Sequence, residues 1–221
     1  MVLSDRYEAG RRLLARLRGR IGPDSVVLAL PRGGVAVGFP IAWGLKLPLD
    51  VLVVRKVGAP GEPEFGVGAV SEGGGVTLDE PTLLELGITR GSIEPAIAQA
   101  RQEVVRQVAL YRGDLPAIPI EGRTAVVVDD GIATGGTIRA AVAVLRERAP
   151  ERVVLAVGVA PRATAETLRR FADDVVCVEE PSELGAVGEW YADFRPVSDR
   201  EVQMWLTQAR GRRPVDAEPE R

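Results

Sequence analysis

Two adjacent carboxylates run into a cluster of glycines and threonines at residues 126–137, Val126-Val127-Val128-Asp129-Asp130-Gly131-Ile132-Ala133-Thr134-Gly135-Gly136-Thr137. Gly135 and Gly136 permit positive φ and close backbone approach, so successive amide N–H groups can point into one concavity. A helix that starts there adds its N-terminal amides and the positive end of its dipole, and Thr134 and Thr137 add hydroxyl donors. Such a cradle suits a phosphate monoester. Asp129 and Asp130 stand beside it, able to accept hydrogen bonds from vicinal hydroxyls or to hold a hydrated magnesium ion. Phosphate and diol together describe ribose 5-phosphate. A plain tight turn would account for the glycines, but not for two neighbouring acids and two threonines. Other phosphate-binding loops fail on residue identity. A Walker A loop needs Gly-Lys-Ser/Thr, whereas Gly135 is followed by Gly136 and Thr137, and no G-x-G-x-x-G spacing occurs here or at 33–38.

A second group, Leu30-Pro31-Arg32-Gly33-Gly34, closes an apolar run at 26–30. Glycine N–H groups with a guanidinium fork fit a diphosphate, although a turn with a surface arginine would look the same in isolation. Arg55 and Lys56 open a stretch at 55–75 rich in Gly, Pro and Glu. Its composition predicts a mobile loop that leads into a hairpin with arms at 66–71 and 76–78.

The elements that must position these groups follow from periodicity. Ser4 can cap a helix over 5–18 with Tyr7, Leu13, Leu14 and Leu17 on one face. Strands are expected at 26–30, 50–54, 124–129, 152–159 and 175–178. Helices are expected at 35–45, 92–112, 137–148 and 163–171; Ile93, Ile97, Ala100, Val104, Val108 and Tyr111 recur at intervals of three and four. Strands alternating with helices argue for a parallel α/β sheet, in which ligands bind outside the carboxyl ends of the strands. Both glycine-rich turns fall there. The chain has no internal repeat.

With 221 residues the chain suits one domain over 1–210, with a core at about 24–178 and a charged, disordered tail at 211–221. Hydrophobic residues make up 46% and charged residues 27%, as in a globular protein. No apolar run reaches the ~18 residues of a membrane span and the start lacks a leader pattern, so neither membrane nor export is expected and the location is expected to be cytoplasmic. A net charge of −3 gives no global attraction for nucleic acid. The lone Cys177 lies in an apolar run and reads as a buried structural thiol. With no histidine in the chain, imidazole chemistry is excluded.

The stretch at 126–137 resembles the phosphoribosyl pyrophosphate motif of the type I phosphoribosyltransferases: an apolar run, two acids and a Thr-Gly-Gly-Thr loop. The resemblance implies that family's fold, a central, mainly parallel sheet flanked by helices with a flexible loop or hairpin at 55–78 and a small C-terminal hood. It also implies a Mg2+-dependent transferase of nucleotide metabolism, acting on phosphoribosyl pyrophosphate and a nucleobase-like acceptor as a homodimer. Asp129, Asp130, Arg32 and Lys56 would then be catalytic, with both acids also serving the metal. The phosphoribosyl group would lie on Asp129 to Thr137, including Gly131, Ile132, Ala133, Thr134, Gly135 and Gly136, and pyrophosphate on Pro31, Arg32, Gly33, Gly34, Arg55 and Lys56. The hood at 179–196, grouped with the N-terminal helix, is similar in layout to that of hypoxanthine-guanine enzymes and offers Trp190, Tyr191 and Phe194 to the base. Ala133, Ala160 and Gly185 stand where purine enzymes carry base-reading side chains, which leaves the acceptor open. A regulator that binds phosphoribosyl pyrophosphate without turnover, or a phosphoribosyl-handling hydrolase or phosphorolytic enzyme, would share the same ribose half.

Overall fold

In the computed structural model, which describes residues 2–211 apart from the side chains of Pro63 and Glu64, the chain order is α1 (Arg6–Leu17), β1 (Val26–Ala29), α2 (Gly33–Leu45), β2 (Leu49–Val51), β3 (Val54–Ala59), β4 (Glu62–Ser71), β5 (Val76–Leu78), α3 (Glu80–Glu85), α4 (Arg90–Arg112), β6 (Thr124–Gly131), α5 (Gly136–Glu147), β7 (Arg152–Val159), α6 (Arg162–Leu168), β8 (Asp174–Glu179), a 3-10 turn (Val187–Trp190) and α7 (Asp199–Arg210). The expected tail lies, from residue 212 on, outside the described residues.

Five strands pair in parallel in the order β2-β1-β6-β7-β8. Their apolar runs are continuous because both faces are covered. Val27, Ala29, Val126, Val128, Val154 and Ala156 join one core with α1, α2, α4 and α7. Val26, Leu28, Ala125, Val127, Val153 and Leu155 join another with α5 and α6. The strand order reverses between β1 and β6, and the crevice outside their carboxyl ends is where such sheets take ligands.

Several expectations are corrected. Asp5, not Ser4, caps α1, accepting from Glu8 N at 2.7 Å, and the buried stripe is Ala9, Gly10, Leu13 and Leu17, with Tyr7 left exposed. The strand expected over 50–54 is divided: β2 stops at Val51, and Val54 starts a separate antiparallel sheet, β3-β4-β5. The stretch 55–75 is therefore no open loop. β3 and β4 pair from Val54↔Ser71 to Ala59↔Glu62, so Arg55 and Lys56 stand on a strand. The glycines serve close approach here: a Cβ at Gly66 would stand 2.9 Å from Lys56 Cδ, and one at Gly68 2.6 Å from Thr77 O. Buried Val57, Ala59, Val67 and Val70 anchor the hairpin. Three elements went unforeseen: α3, the 3-10 turn and α7. The last carries a readable signature, since Ser198 accepts from Glu201 N at 3.3 Å while Glu201 accepts from Ser198 N at 2.8 Å, a capping box ahead of buried Val202 and Leu206.

Candidate functional site

Two turns meet at the reversal point of the sheet. After β6, Ile132 N donates to Val159 O at 2.9 Å, and the chain turns through Gly135, at φ 80°, into α5. Thr164 Oγ1 of α6 donates to Ala133 O at 3.0 Å, which braces the turn from outside. After β1, the chain passes through a cis peptide bond between Pro31 and Arg32 into α2. A Cβ on Gly34 would stand 2.5 Å from Val128 O and 3.2 Å from Asp129 Cα, and one on Gly33 would run into the Asp130 carboxylate. Only glycine lets this turn close on the acids of β6.

The helix starts fall into two groups. Side chains cap α1, α3, α4 and α7 through Asp5, Asp79, Thr89 and Ser198, whereas α2, α5 and α6 have no side-chain cap. First-turn N–H groups lack intrahelical partners and want acceptors. The starts of α2 and α5 open at the same crevice, where an anion can satisfy the first-turn amides of α5; at α2, Gly34 N donates to Leu30 O at 3.0 Å and Val35 N to Arg32 O at 3.1 Å.

The two acids are not equivalent. Asp129 Oδ1 accepts from Asp130 N at 2.9 Å, and burial, reinforced by the neighbouring Asp130 charge, raises its carboxyl well above the usual carboxylate range. Asp130 Oδ2 instead accepts from Arg6 Nε of α1 at 2.6 Å. Arg6 also donates from Nη1 to Arg195 O at 2.9 Å, and its guanidinium lies 3.7 Å from the Phe194 ring centroid. Sequence reading missed Arg6: it is one of several arginines on α1, and no spacing marks it.

Around the acids the hood and the N-terminus are joined. Leu3 N donates to Trp190 O and Ala192 N to Leu3 O, both at 2.8 Å. Tyr191 is buried, and its hydroxyl donates to Asp130 O at 2.5 Å across Gly158, where a Cβ would collide with that hydroxyl. Burial raises the phenol far above its ordinary range. Phe194 packs on Tyr191, with centroids 5.1 Å apart, and Val187 sits over Gly131. Trp190 packs, partly buried, against the core. Tyr191 and Phe194 turn their rings to each other, and Phe194 also faces Arg6.

The remaining candidates are more spread out. Arg32 is half-exposed at the first turn of α2 and lies 3.9 Å from Asp199, which also accepts from Tyr111 Oη at 2.6 Å. Arg55 pairs with Glu103 of α4 at 2.9 Å, and Glu103, bound first by Arg106 and then by Arg55, is lowered to about 2. Lys56 lies on β3 opposite Ala69, its side chain passing close to Gly66. Cys177 is buried, and burial pushes its thiol up to about 12. No helix among the described residues is long and apolar enough to cross a membrane.

The phosphoribosyl transferase domain family matches residues 3–193. A protein of Mycobacterium tuberculosis (strain H37Rv) named "Putative phosphoribosyl transferase" is 41% identical over 208 residues, which cover 94% of this chain and 47% of that protein; its counterpart in strain CDC 1551 matches equally. The chain thus spans about half the length of the curated relatives it matches. Among solved structures, the protein TT1426 from Thermus thermophilus is similar at 40% identity and a TM-score of 0.83, over 94% of this chain and 99% of that one.

Proposed function

Because the chain belongs to the phosphoribosyl transferase domain family, we propose that it transfers a 5-phosphoribosyl group from phosphoribosyl pyrophosphate to a nitrogenous, purine-like base and releases pyrophosphate. One observation carries this: the glycine turns that start α2 and α5, neither with a side-chain cap, and an acid pair converge where the strand order reverses. The 5-phosphate lies on the amides of 133–137 at the start of α5, with Ile132 held to Val159 beneath them. The diphosphate lies on Gly33, Gly34 and Arg32, the last swinging from Asp199 to chelate two oxygens at once. The acid end of β6 faces the ribose diol.

The donor set also fits magnesium. Mg2+ is usually bound through one or two carboxylates plus substrate oxygens and keeps several waters. Asp129 gives one oxygen to a neighbouring amide and has a second to offer, beside the Asp130 carboxylate. When bound, the ion would help neutralise the diphosphate.

The acceptor nitrogen attacks C1, the bond from C1 to the diphosphate oxygen breaks, and pyrophosphate leaves with that electron pair. The chain orients the two reactants and stabilises the leaving charge through Arg32 at the start of α2. No covalent intermediate with the protein is required. Lys56 on the β3–β4 hairpin adds a point charge toward the leaving group in the same scheme.

A second reading has an observation in its favour. Tyr191 and Phe194 spend their rings on protein contacts, which suits a regulator that binds phosphoribosyl pyrophosphate without turnover. Pyrophosphate release from phosphoribosyl pyrophosphate and Mg2+ distinguishes the two. A transferase releases pyrophosphate only with one class of base present. Release independent of base identifies a hydrolase, and binding without release identifies a regulator.

A further inference from the structure

Arg6 reaches from the first turn of α1 to an acid 124 residues away in sequence and buries its charge there. Its side chain is 11% exposed and that of Asp130 15%. Three contacts hold the guanidinium at once: Asp130 Oδ2, Arg195 O and the face of Phe194. Asp130 is held just as firmly, since Tyr191 Oη donates to its backbone oxygen while Gly33 packs against its carboxylate. Four parts of the chain therefore meet on one ion pair: α1, the glycine turn of α2, the end of β6 and the segment after the 3-10 turn. The Asp129 carboxylate, by contrast, accepts from the adjacent amide, interacts with the Asp130 side chain and feels the Arg6 charge only weakly, with no ion pair of its own among the described residues.

We propose that the two acids divide their work: Arg6 is a positioning residue that reserves Asp130 as the tie between these four parts, and Asp129 is the carboxylate that meets the ribose hydroxyls. This rests on the phosphoribosyl site proposed above and deepens it. A charge-assisted bond from a guanidinium to a carboxylate is among the stronger polar contacts a protein makes. Low exposure makes exchanging that cation for a neutral hydroxyl costly. The tie also sets the height of Gly33, and with it the amides offered to the diphosphate. Asp129, one residue back and free of such a partner, can receive the diol without dismantling anything.

The test measures affinity for phosphoribosyl pyrophosphate with Mg2+ by calorimetry, alongside thermal midpoints, for the unaltered protein, Asp129→Asn, Asp130→Asn, Arg6→Gln and the double variant Arg6→Met/Asp130→Leu. The double variant replaces the ion pair with apolar groups of similar volume, a change that such pairs often tolerate. Asp129→Asn should weaken binding by about tenfold or more with little change in midpoint, the loss of one hydrogen bond to a charged group. Asp130→Asn and Arg6→Gln should each lower the midpoint and weaken binding less than Asp129→Asn does. The double variant should recover midpoint relative to either single change and bind more tightly than Asp129→Asn. Equal or greater loss of affinity in the double variant than in Asp129→Asn overturns the division of labour. If the double variant does not fold, the same comparison between Asp130→Asn and Asp129→Asn decides. Absence of binding by the unaltered protein would instead remove the phosphoribosyl site itself, and the division with it.

Discussion

Gly135→Val should weaken binding of ribose 5-phosphate about a hundredfold, through loss of backbone amides rather than through a blocked cavity. Gly135 sits at φ 80° and ψ 2°, a left-handed conformation that a β-branched side chain resists. A Cβ at this position would point toward Leu168 and Thr164 of α6, 3.4 Å from each, and not into the anion's space. The substituent therefore acts by turning the backbone, which redirects the first-turn amides of α5. Each such amide makes a charge-assisted bond to phosphate, so losing two accounts for the size of the effect. Calorimetric titration on both proteins, with circular dichroism to show that the fold persists, measures it. Equal affinities would mean that the phosphate sits elsewhere.

Asp50→Ala should lower stability by about 3 kcal/mol, the cost of taking one of two acids from a buried guanidinium and an acceptor from two backbone amides. Asp50 on β2 lies within 3.1 Å of Arg112 Nε, and both side chains are almost fully buried, at 2% and 4% exposure. The same carboxylate accepts from Val51 N at 2.9 Å and Ile118 N at 3.2 Å. Glu72 pairs with Arg112 from the other side at 2.8 Å, and together these acids hold Arg112 protonated above its ordinary range against the effect of burial. The cluster ties β2, α4 and the β4–β5 turn together at the edge of the sheet. A thermal midpoint lower by about 10 °C is expected for a chain of this size. Asp50→Leu/Arg112→Met should recover only part of the loss, because Glu72 then keeps only Arg148, 3.6 Å away, and Val51 N and Ile118 N lose their acceptor. A drop of under about 1 kcal/mol for Asp50→Ala would show that Arg112 finds other partners.

The parallel core and the glycine-threonine turn into α5 were legible because one local pattern carries each. β6, β7 and β8 carry valine-rich apolar runs, and the glycines and threonines of 131–137 sit in a strand-to-helix turn. The hairpin of β3 and β4 was hidden because Gly58, Gly66 and Gly68 look like loop residues in sequence. Their use, close approach between strands, exists only once the strands are paired. Arg6 was hidden for a deeper reason: pairing with Asp130 joins the first helix to the third strand of the parallel sheet, and no periodicity reports a contact across that separation. The aromatics of 190–194 were found by position, but whether a ring faces a ligand or a guanidinium depends on side-chain packing that composition does not encode.

The most direct measurement of the central claim, that the crevice at the carboxyl ends of β1 and β6 holds a phosphorylated ribose, is an amide NMR titration with ribose 5-phosphate. The largest shifts should fall on Ala133, Thr134, Gly135, Gly136 and Thr137, saturating together, with smaller shifts at Gly33 and Gly34. Unmoved signals at 133–137, or a larger response elsewhere on the chain, would contradict it.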